Sequence, residues 1–250
     1  MRGGFLRTGL IITCLLLASM PAFAGQVRVA VASNFAETIR AIAELYEEKT
    51  GHSVLISTGS TGKHYAQIRH GAPFDVFLAA DARRPTLLEK EGVAQPGSRY
   101  TYAIGKLVLW SPKAGMVDQH GQVLEQGGFR YLSIANPKLA PYGRAAQQLL
   151  ESRGLWADMQ GRLVRGENIG QAYQYVASGN AELGLVAYAQ IRQPDVAITG
   201  SFWPVPQDLY DPIEQQVVLL KDKDLARDFL DFLRSDQVRT VILSYGYGVP

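Results

Sequence analysis

The sequence has a single cysteine, Cys14, among its 250 residues. Because Cys14 lies in a hydrophobic N-terminal stretch, residues 25–250 hold no thiol for a disulfide, a covalent nucleophile or a thiolate metal site. The chain also has no excess of charge of one sign, with 25 Lys and Arg against 23 Asp and Glu. A charge balance so close to neutral gives no reason to expect nucleic acid or an anionic membrane as a partner.

The sequence has no hydrophobic run of the ~20 residues that a membrane-spanning helix needs. Its apolar N-terminal run covers only residues 10–18, follows Arg2 and Arg7, and precedes an A-x-A cleavage site within residues 21–24. This order is typical of a cleavable secretory signal. We expect residues 1–24 to be a signal peptide, in preference to a membrane anchor or a lipoprotein signal, and the working protein to be periplasmic.

Motifs for catalysis are also missing. There is no G-x-S-x-G element, and Gly59–Lys63 departs from the phosphate-binding loop at Ser57 and at His64. The four histidines have no metal-ligand spacing and are expected at the surface: His52, His64, His70 and His120. We therefore expect a protein that is not an enzyme, with no cofactor. The C-terminal aromatic residues Tyr245 and Tyr247 are expected to pack on the surface of a lobe.

What the sequence does contain is an alternation of strand and helix signals. Val27, Val29 and Val31 have the two-residue period of a strand, and Phe35, Ile39, Ile42 and Tyr46 then recur on one helical face. Further strand signals lie at 54–56, 75–79, 103–110, 131–135, 183–188 and 216–220, with helix signals between and after them. This alternation predicts an α/β protein with two lobes, each a mostly parallel sheet flanked by helices.

Four predicted helices begin with small polar or turn residues directly after a strand or turn, at 33–34, 60–61, 141–143 and 168–169. Asn34 with Glu37 three residues later is a capping-box pattern. The first N–H groups of a helix are unpaired and lie at its positive end, so converging helix starts can hold an anion without Lys or Arg. Ordinary capping explains any one of these starts equally well.

A set of motifs in order resembles the periplasmic molybdate-binding proteins of ABC importers. They are Val29–Asn34, Gly59–Gly62, Gln67–Ile68, Gly71–Phe77, Ala80–Asp81, Ala135–Pro137, Pro141–Gly143, Glu182–Val186 and Gly246–Tyr247. The likeness extends over nearly all of residues 25–250. It implies a two-lobed periplasmic binding protein fold, with residues 25–105 and 214–250 in the first lobe and 106–213 in the second.

The resemblance also implies the ligand and the partners. Molybdate, or tungstate, would lie in the cleft between the lobes, and an ABC importer permease with its ATPase would receive it from a monomeric binding protein. Carried over position by position, the ligand residues are Ser33, Asn34, Ser60 and Thr61 from the first lobe, with Tyr142 and the backbone N–H of Ile169 from the second.

The position of one tyrosine distinguishes this chain from some members of the family that it resembles. Those members place a tyrosine at the position of Ala187 and a small residue at the position of Tyr142. The resemblance therefore implies that Tyr142 supplies the hydroxyl here. Tyr188 is one step from Ala187 on the same strand and faces the other way, so it is not expected to be a ligand.

Elementary chemistry agrees with an oxyanion site. Molybdate is a dianion whose oxygens accept hydrogen bonds, and hydroxyls, amides and helix N-termini are suitable donors. Three alternatives remain at this point. The first is a binding protein of the same fold for another oxyanion or small solute. The others are a secreted hydrolase and an interaction module with no ligand.

Overall fold

The computed structural model describes residues 25–250, so the expected signal peptide lies outside the described residues. The strands are β1 Gln26–Ala32, β2 Ser53–Gly59, β3 Val76–Leu78, β4 Tyr100–Gly105, β5 Leu107–Ser111, β6 Leu132–Ala135, β7 Leu163–Gly166, β8 Leu183–Ala187, β9 Ser201–Pro204 and β10 Ile213–Leu219. The helices are α1 Ala36–Thr50, α2 Thr61–Arg69, α3 Arg83–Lys90, α4 Val123–Gln126, α5 Pro141–Ser152, α6 Trp156–Met159, α7 Ile169–Ala177, α8 Tyr188–Ile191, α9 Asp224–Phe232 and α10 Asp236–Ser244.

These strands form two separate five-stranded sheets. The first has the order β2-β1-β3-β10-β4 and the second the order β7-β6-β8-β5-β9. In each sheet four strands run in the same direction and one runs opposite to them, β10 in the first sheet and β5 in the second. The prediction of two α/β lobes is confirmed, and each mostly parallel sheet is mixed because it contains one reversed strand. The reversed strands β5 and β10 are each the first strand after the chain passes from one sheet to the other.

The chain passes between the sheets at two places that lie side by side. The sequence predicts one strand over 103–110, whereas the structure has β4 in the first sheet and β5 in the second, with only Lys106 between them. The return passage lies between β9 and β10. It contacts the outward passage through a hydrogen bond from the Leu107 N–H to the Tyr210 hydroxyl, 3.1 Å, and another from the Val205 N–H to the Leu107 carbonyl, 3.1 Å.

Most of the hydrophobic core lies in separate clusters on the two sheets, and one cluster also includes Ala32, Ala80 and Ile213 at the contact between the lobes. The apolar face predicted for α1 is confirmed, because Phe35, Ile39, Ile42 and Tyr46 are at most 1% exposed and pack under the first sheet. Full burial of such side chains stabilises a fold by roughly 1.5–3 kcal/mol each. None of the helices described within residues 25–250 has the length and apolar character of a membrane-crossing segment.

Candidate oxyanion site between the lobes

A small cavity lies between the two lobes, at the carboxyl ends of β1 and β2 and against the starts of α5 and α7. The structure brings all six sequence-predicted site residues together around it: Ser33, Asn34, Ser60, Thr61, Tyr142 and Ile169. The remaining lining residues are apolar or glycine: Ala32, Gly59, Ala80, Ala140 and Pro141. No Lys or Arg is among these lining residues, so any anion held here is held by neutral donors.

Two lobes contribute helix N-termini to the cavity. α2 begins at Thr61, and the predicted cap is confirmed because the Ser60 hydroxyl accepts from the Lys63 N–H, 3.2 Å. α7 begins at Ile169, and the Asn168 side chain accepts from the Gln171 N–H, 3.0 Å, again as predicted. The first N–H groups of these helices have no acceptor within the helix and lie at its positive end. These two helix starts therefore favour negative charge in the cavity without a charged side chain.

The hydroxyls of Ser60 and Thr61 are arranged as hydrogen-bond donors toward the cavity. The Thr61 hydroxyl oxygen accepts a hydrogen bond from the Ala80 N–H, 3.1 Å, as the Ser60 oxygen does from Lys63. Each of these contacts occupies an oxygen lone pair and leaves the hydroxyl proton available. Both residues are at most 2% exposed. Backbone donors thus orient two hydroxyls of the first lobe whose protons can be given to a ligand.

Tyr142 lies in the first turn of α5 and is the largest side chain at the cavity. It is 1% exposed, and its hydroxyl has no hydrogen-bond partner among the described residues. The hydroxyl lies against the backbone of Gly105 at the end of β4, where a Cβ atom would come within 2.3 Å of it. Burial raises the pKa of the Tyr142 hydroxyl well above its usual value, so it stays protonated and can donate to an anion as a neutral group. An unsatisfied buried hydroxyl costs about 1–3 kcal/mol, which an acceptor in the cavity would offset.

Ser33 differs from the other three hydroxyl residues because its hydroxyl crosses the cleft. It donates to the Asn168 side-chain oxygen, 3.1 Å, and accepts from the Gly170 N–H, 3.1 Å. Both partners belong to the second lobe. The hydroxyl of Ser33 therefore joins the lobes at the edge of the cavity in this closed arrangement.

The capping-box prediction for Asn34 is wrong. A 3-10 turn over Ser33–Phe35 precedes α1, and α1 has no side-chain cap. The Asn34 amide nitrogen instead donates to the Gln215 side-chain oxygen, 2.7 Å, and to the Tyr247 hydroxyl, 3.1 Å. The tertiary partners give the buried amide nitrogen two acceptors, whereas the Asn34 side-chain oxygen and the Gln215 side-chain nitrogen have no partner among the described residues. Both amide hydrogens are thus directed away from a ligand.

Sequence reasoning missed the residues beneath the site. Tyr247 was expected at a lobe surface, but it is 3% exposed and its hydroxyl donates to the Asn34 carbonyl, 2.7 Å. Burial raises the pKa of this hydroxyl as well. The Tyr102 hydroxyl completes the network by donating to the Ala79 carbonyl, 3.2 Å. The motif Gly246–Tyr247 was the available signal, although it did not show which way the ring faces.

His64 was also expected at the surface, and that expectation is wrong. The imidazole is 2% exposed and lies beneath Gly59, where a Cβ atom would come within 2.9 Å of its Nε2. Its Nδ1 is 3.1 Å from the Gln67 side-chain oxygen. Burial lowers the pKa of His64, so the ring is neutral under the Ser60–Thr61 loop. Tyr188 does not line the cavity, and its ring packs against Phe202 at 6.0 Å between centroids.

Comparison with known proteins places this geometry among characterised relatives. Residues 27–248 match the family model described as "Bacterial extracellular solute-binding protein". The chain is 51% identical over 236 residues to the molybdate-binding protein ModA of Azotobacter vinelandii, covering 93% of this chain and 94% of that protein. It is 46% identical over 246 residues to ModA of Rhodobacter capsulatus, covering 97% and 96%. Among solved structures, the A. vinelandii periplasmic molybdate-binding protein superposes with a TM-score of 0.87 at 44% identity, over 90% of this chain and 99% of that one.

Proposed function

The chain belongs to the bacterial extracellular solute-binding protein family, and we propose on that premise that it captures molybdate and delivers it to an ABC importer. The resemblance stated from its motifs is confirmed by relatives named as molybdate-binding proteins that align over almost the whole chain. A solute-binding protein of this family holds its ligand without changing it, which agrees with the lack of a nucleophile–base pair in the motifs.

The observation that carries this proposal is the donor chemistry of the cavity. The hydroxyls and helix N–H groups that it offers to a ligand are neutral donors, and one of them, the Tyr142 hydroxyl, is buried without a partner among residues 25–250. Molybdate at neutral pH accepts hydrogen bonds and donates none, so its oxygens complement such a site. Neutral donors also avoid the desolvation cost of burying Lys or Arg beside the ion.

The size of the cavity supports a compact ion. It measures about 10 Å³ as the space open to the centre of a water-sized sphere. That is room for about one water molecule, so any ligand must widen the cavity, and a tetrahedral ion would widen it far less than an amino acid, a sugar or a peptide. The small cavity favours a small oxyanion over an organic solute. Selectivity between tetrahedral dianions, such as molybdate and sulfate, would then depend mainly on the size of the cavity.

We assign the ligand contacts as follows, in keeping with the geometry. Ser60 and Thr61 donate through their hydroxyls, Tyr142 donates through its phenol, and Ile169 donates through its backbone N–H. Ser33 and Asn34 complete the wall of the cavity from the first lobe. The lobes, residues 25–105 with 214–250 and residues 106–213, would close on the ion by bending at the two passages beside Lys106 and Tyr210.

The protein would act in the periplasm as a monomer after loss of residues 1–24. It would present its closed form to a permease driven by an ATPase. Tungstate has the same shape and charge as molybdate, so the same donors would hold it.

The test is elemental analysis of protein purified without added oxyanions, followed by calorimetric titration with molybdate, tungstate and sulfate. We expect tight one-to-one binding of molybdate and tungstate and weak binding of sulfate. Small-angle scattering of the same samples should show compaction on saturation with molybdate. Binding of sulfate as tight as that of molybdate would refute the assignment of the ion, and no binding of any of the three would refute an oxyanion site.

A further inference from the structure

Two glycines occupy equivalent positions on opposite sides of the cleft. Gly62 is the second residue of α2 in the first lobe, and Gly170 is the second residue of α7 in the second lobe. We propose that these two glycines form a reciprocal clasp that lets the lobes close over the ion and thereby determines its affinity. The inference rests on the proposed function and extends it to residues outside the ligand contacts.

Gly62 contacts the loop before α5 in the opposite lobe. Its N–H donates to the Leu139 carbonyl, 2.8 Å. A Cβ atom at position 62 would lie 2.9 Å from that same carbonyl oxygen and 3.1 Å from the Leu139 Cα. Both obstacles are backbone atoms, which cannot turn aside as a side chain can. Any side chain at position 62 would therefore push the second lobe away from the first.

Gly170 makes the reciprocal contact in the other direction. Its N–H donates to the Ser33 hydroxyl, 3.1 Å. A Cβ atom at position 170 would lie 3.1 Å from the Asn168 side-chain oxygen and 3.3 Å from the Ser33 Cβ. These neighbours are side-chain atoms that can yield by a few tenths of an ångström. A side chain here would hinder closure less than one at position 62.

The first N–H groups of α2 and α7 therefore have two different roles. One group of each helix faces the ligand cavity, and the next bonds the opposite lobe. The first residue of each helix, Thr61 or Ile169, borders the cavity, and the second, Gly62 or Gly170, bonds the opposite lobe. Consecutive N–H groups in a helical turn are fixed relative to each other. Formation of the Gly62 and Gly170 hydrogen bonds across the cleft therefore also places the first residue of each helix against the ion. Closure of the lobes and contact of Thr61 and Ile169 with the ion therefore occur together.

Neither glycine is required by the backbone conformation of its own lobe. Neither is among the glycines with a positive backbone φ angle, so alanine could adopt the same conformation. Within a helix alanine is more favourable than glycine. In an open protein both positions would face the cleft. The contact across the cleft is the remaining physical reason for a missing side chain.

The test compares Gly62→Ala and Gly170→Ala with the matched control Gly161→Ala. Gly161 lies in the 3-10 turn Gln160–Arg162, and an added Cβ there meets nothing within 4 Å. For molybdate binding by calorimetry we expect Gly62→Ala to weaken affinity about tenfold, as loss of a well-made contact would. Gly170→Ala should weaken it less, and Gly161→Ala should match the wild type.

Thermal unfolding without ligand separates a clasp from an ordinary structural role. The melting temperature of ligand-free Gly62→Ala should be unchanged or raised, because the lobe itself gains a better helix residue. A fall in that temperature matching the loss of affinity would overturn the proposal, since it would mean that Gly62 is needed to fold the first lobe. Equal affinities of Gly62→Ala and Gly161→Ala would overturn it as well.

A cross-link reports closure independently of the ion. The side chains of Lys63 and Glu167 pair across the cleft at 3.0 Å, and residues 25–250 hold no cysteine. In Lys63→Cys with Glu167→Cys, a short bismaleimide should cross-link the lobes in higher yield than after Gly62→Ala is added. Equal yields would refute the clasp. If the wild type failed to bind molybdate, the proposed function would fall while the cross-linking yields still decided whether the clasp exists.

Discussion

Replacing Tyr142 with phenylalanine tests the central contact of the site. The substitution keeps the ring that packs at the start of α5 and removes only the hydroxyl, which is buried and unpaired among the described residues. A hydrogen bond to a charged group contributes roughly 1.5–3 kcal/mol. Its loss should weaken molybdate binding about tenfold to a hundredfold.

The assay is calorimetric titration of molybdate at fixed pH and salt, with Tyr188→Phe as the control. Tyr188 is a tyrosine of the second lobe that does not line the cavity, and its ring packs against Phe202 instead. Removal of its hydroxyl should leave the affinity within about twofold, because no contact with the ion is lost. Both variants keep their aromatic packing, so the comparison isolates the hydroxyl at position 142.

Three results would refute the reasoning about Tyr142. If Tyr142→Phe bound molybdate as tightly as the wild type, the ring would only pack at the lobe edge and the unpaired hydroxyl would have no ligand. If Tyr188→Phe cost more affinity than Tyr142→Phe, the assignment of the second-lobe donor would be reversed. Loss of ligand-free stability in Tyr142→Phe would also contradict it, because removing an unpaired buried hydroxyl should stabilise the closed form or leave it unchanged.

Three further predictions concern selectivity, pH and the network under the site. Molybdate at ~100 times its dissociation constant should add about 2.7 kcal/mol of stability, which raises the melting temperature by roughly 5–10 °C in a scanning assay, and sulfate at the same concentration should add little. Burial lowers the pKa of His64 in the folded protein, so the unfolded chain binds a proton at a higher pH than the folded protein does. The free energy of unfolding should therefore fall as the pH drops below about 6.5. Urea unfolding should show that this free energy depends less on pH in His64→Gln. Tyr247→Phe should cost about 1–3 kcal/mol in urea unfolding, since it leaves a buried Asn34 amide hydrogen and carbonyl without their partner; a smaller cost than that of Tyr245→Phe would contradict the network.

Some features of this protein follow from short stretches of sequence alone. The two-residue and 3.6-residue periods predicted β1 and α1, and the caps at Ser60 and Asn168 form as their residue types indicate. These features are local because the atoms involved lie within a few residues along the chain. The helix starts that border the cavity could be located for the same reason.

The tertiary structure decided everything that depends on the path of the chain. Asn34 turns away from its expected cap because Gln215 and Tyr247, 181 and 213 residues away, meet it in the interior. The strand signal over 103–110 is divided between two sheets, since periodicity within a strand does not specify which neighbours it pairs with. The clasp of Gly62 and Gly170 exists only once the lobes face each other. The sequence around a glycine, an asparagine or a histidine is the same whether the residue is exposed or buried. Its environment is set by the segments that pack against it, and these come from distant parts of the chain.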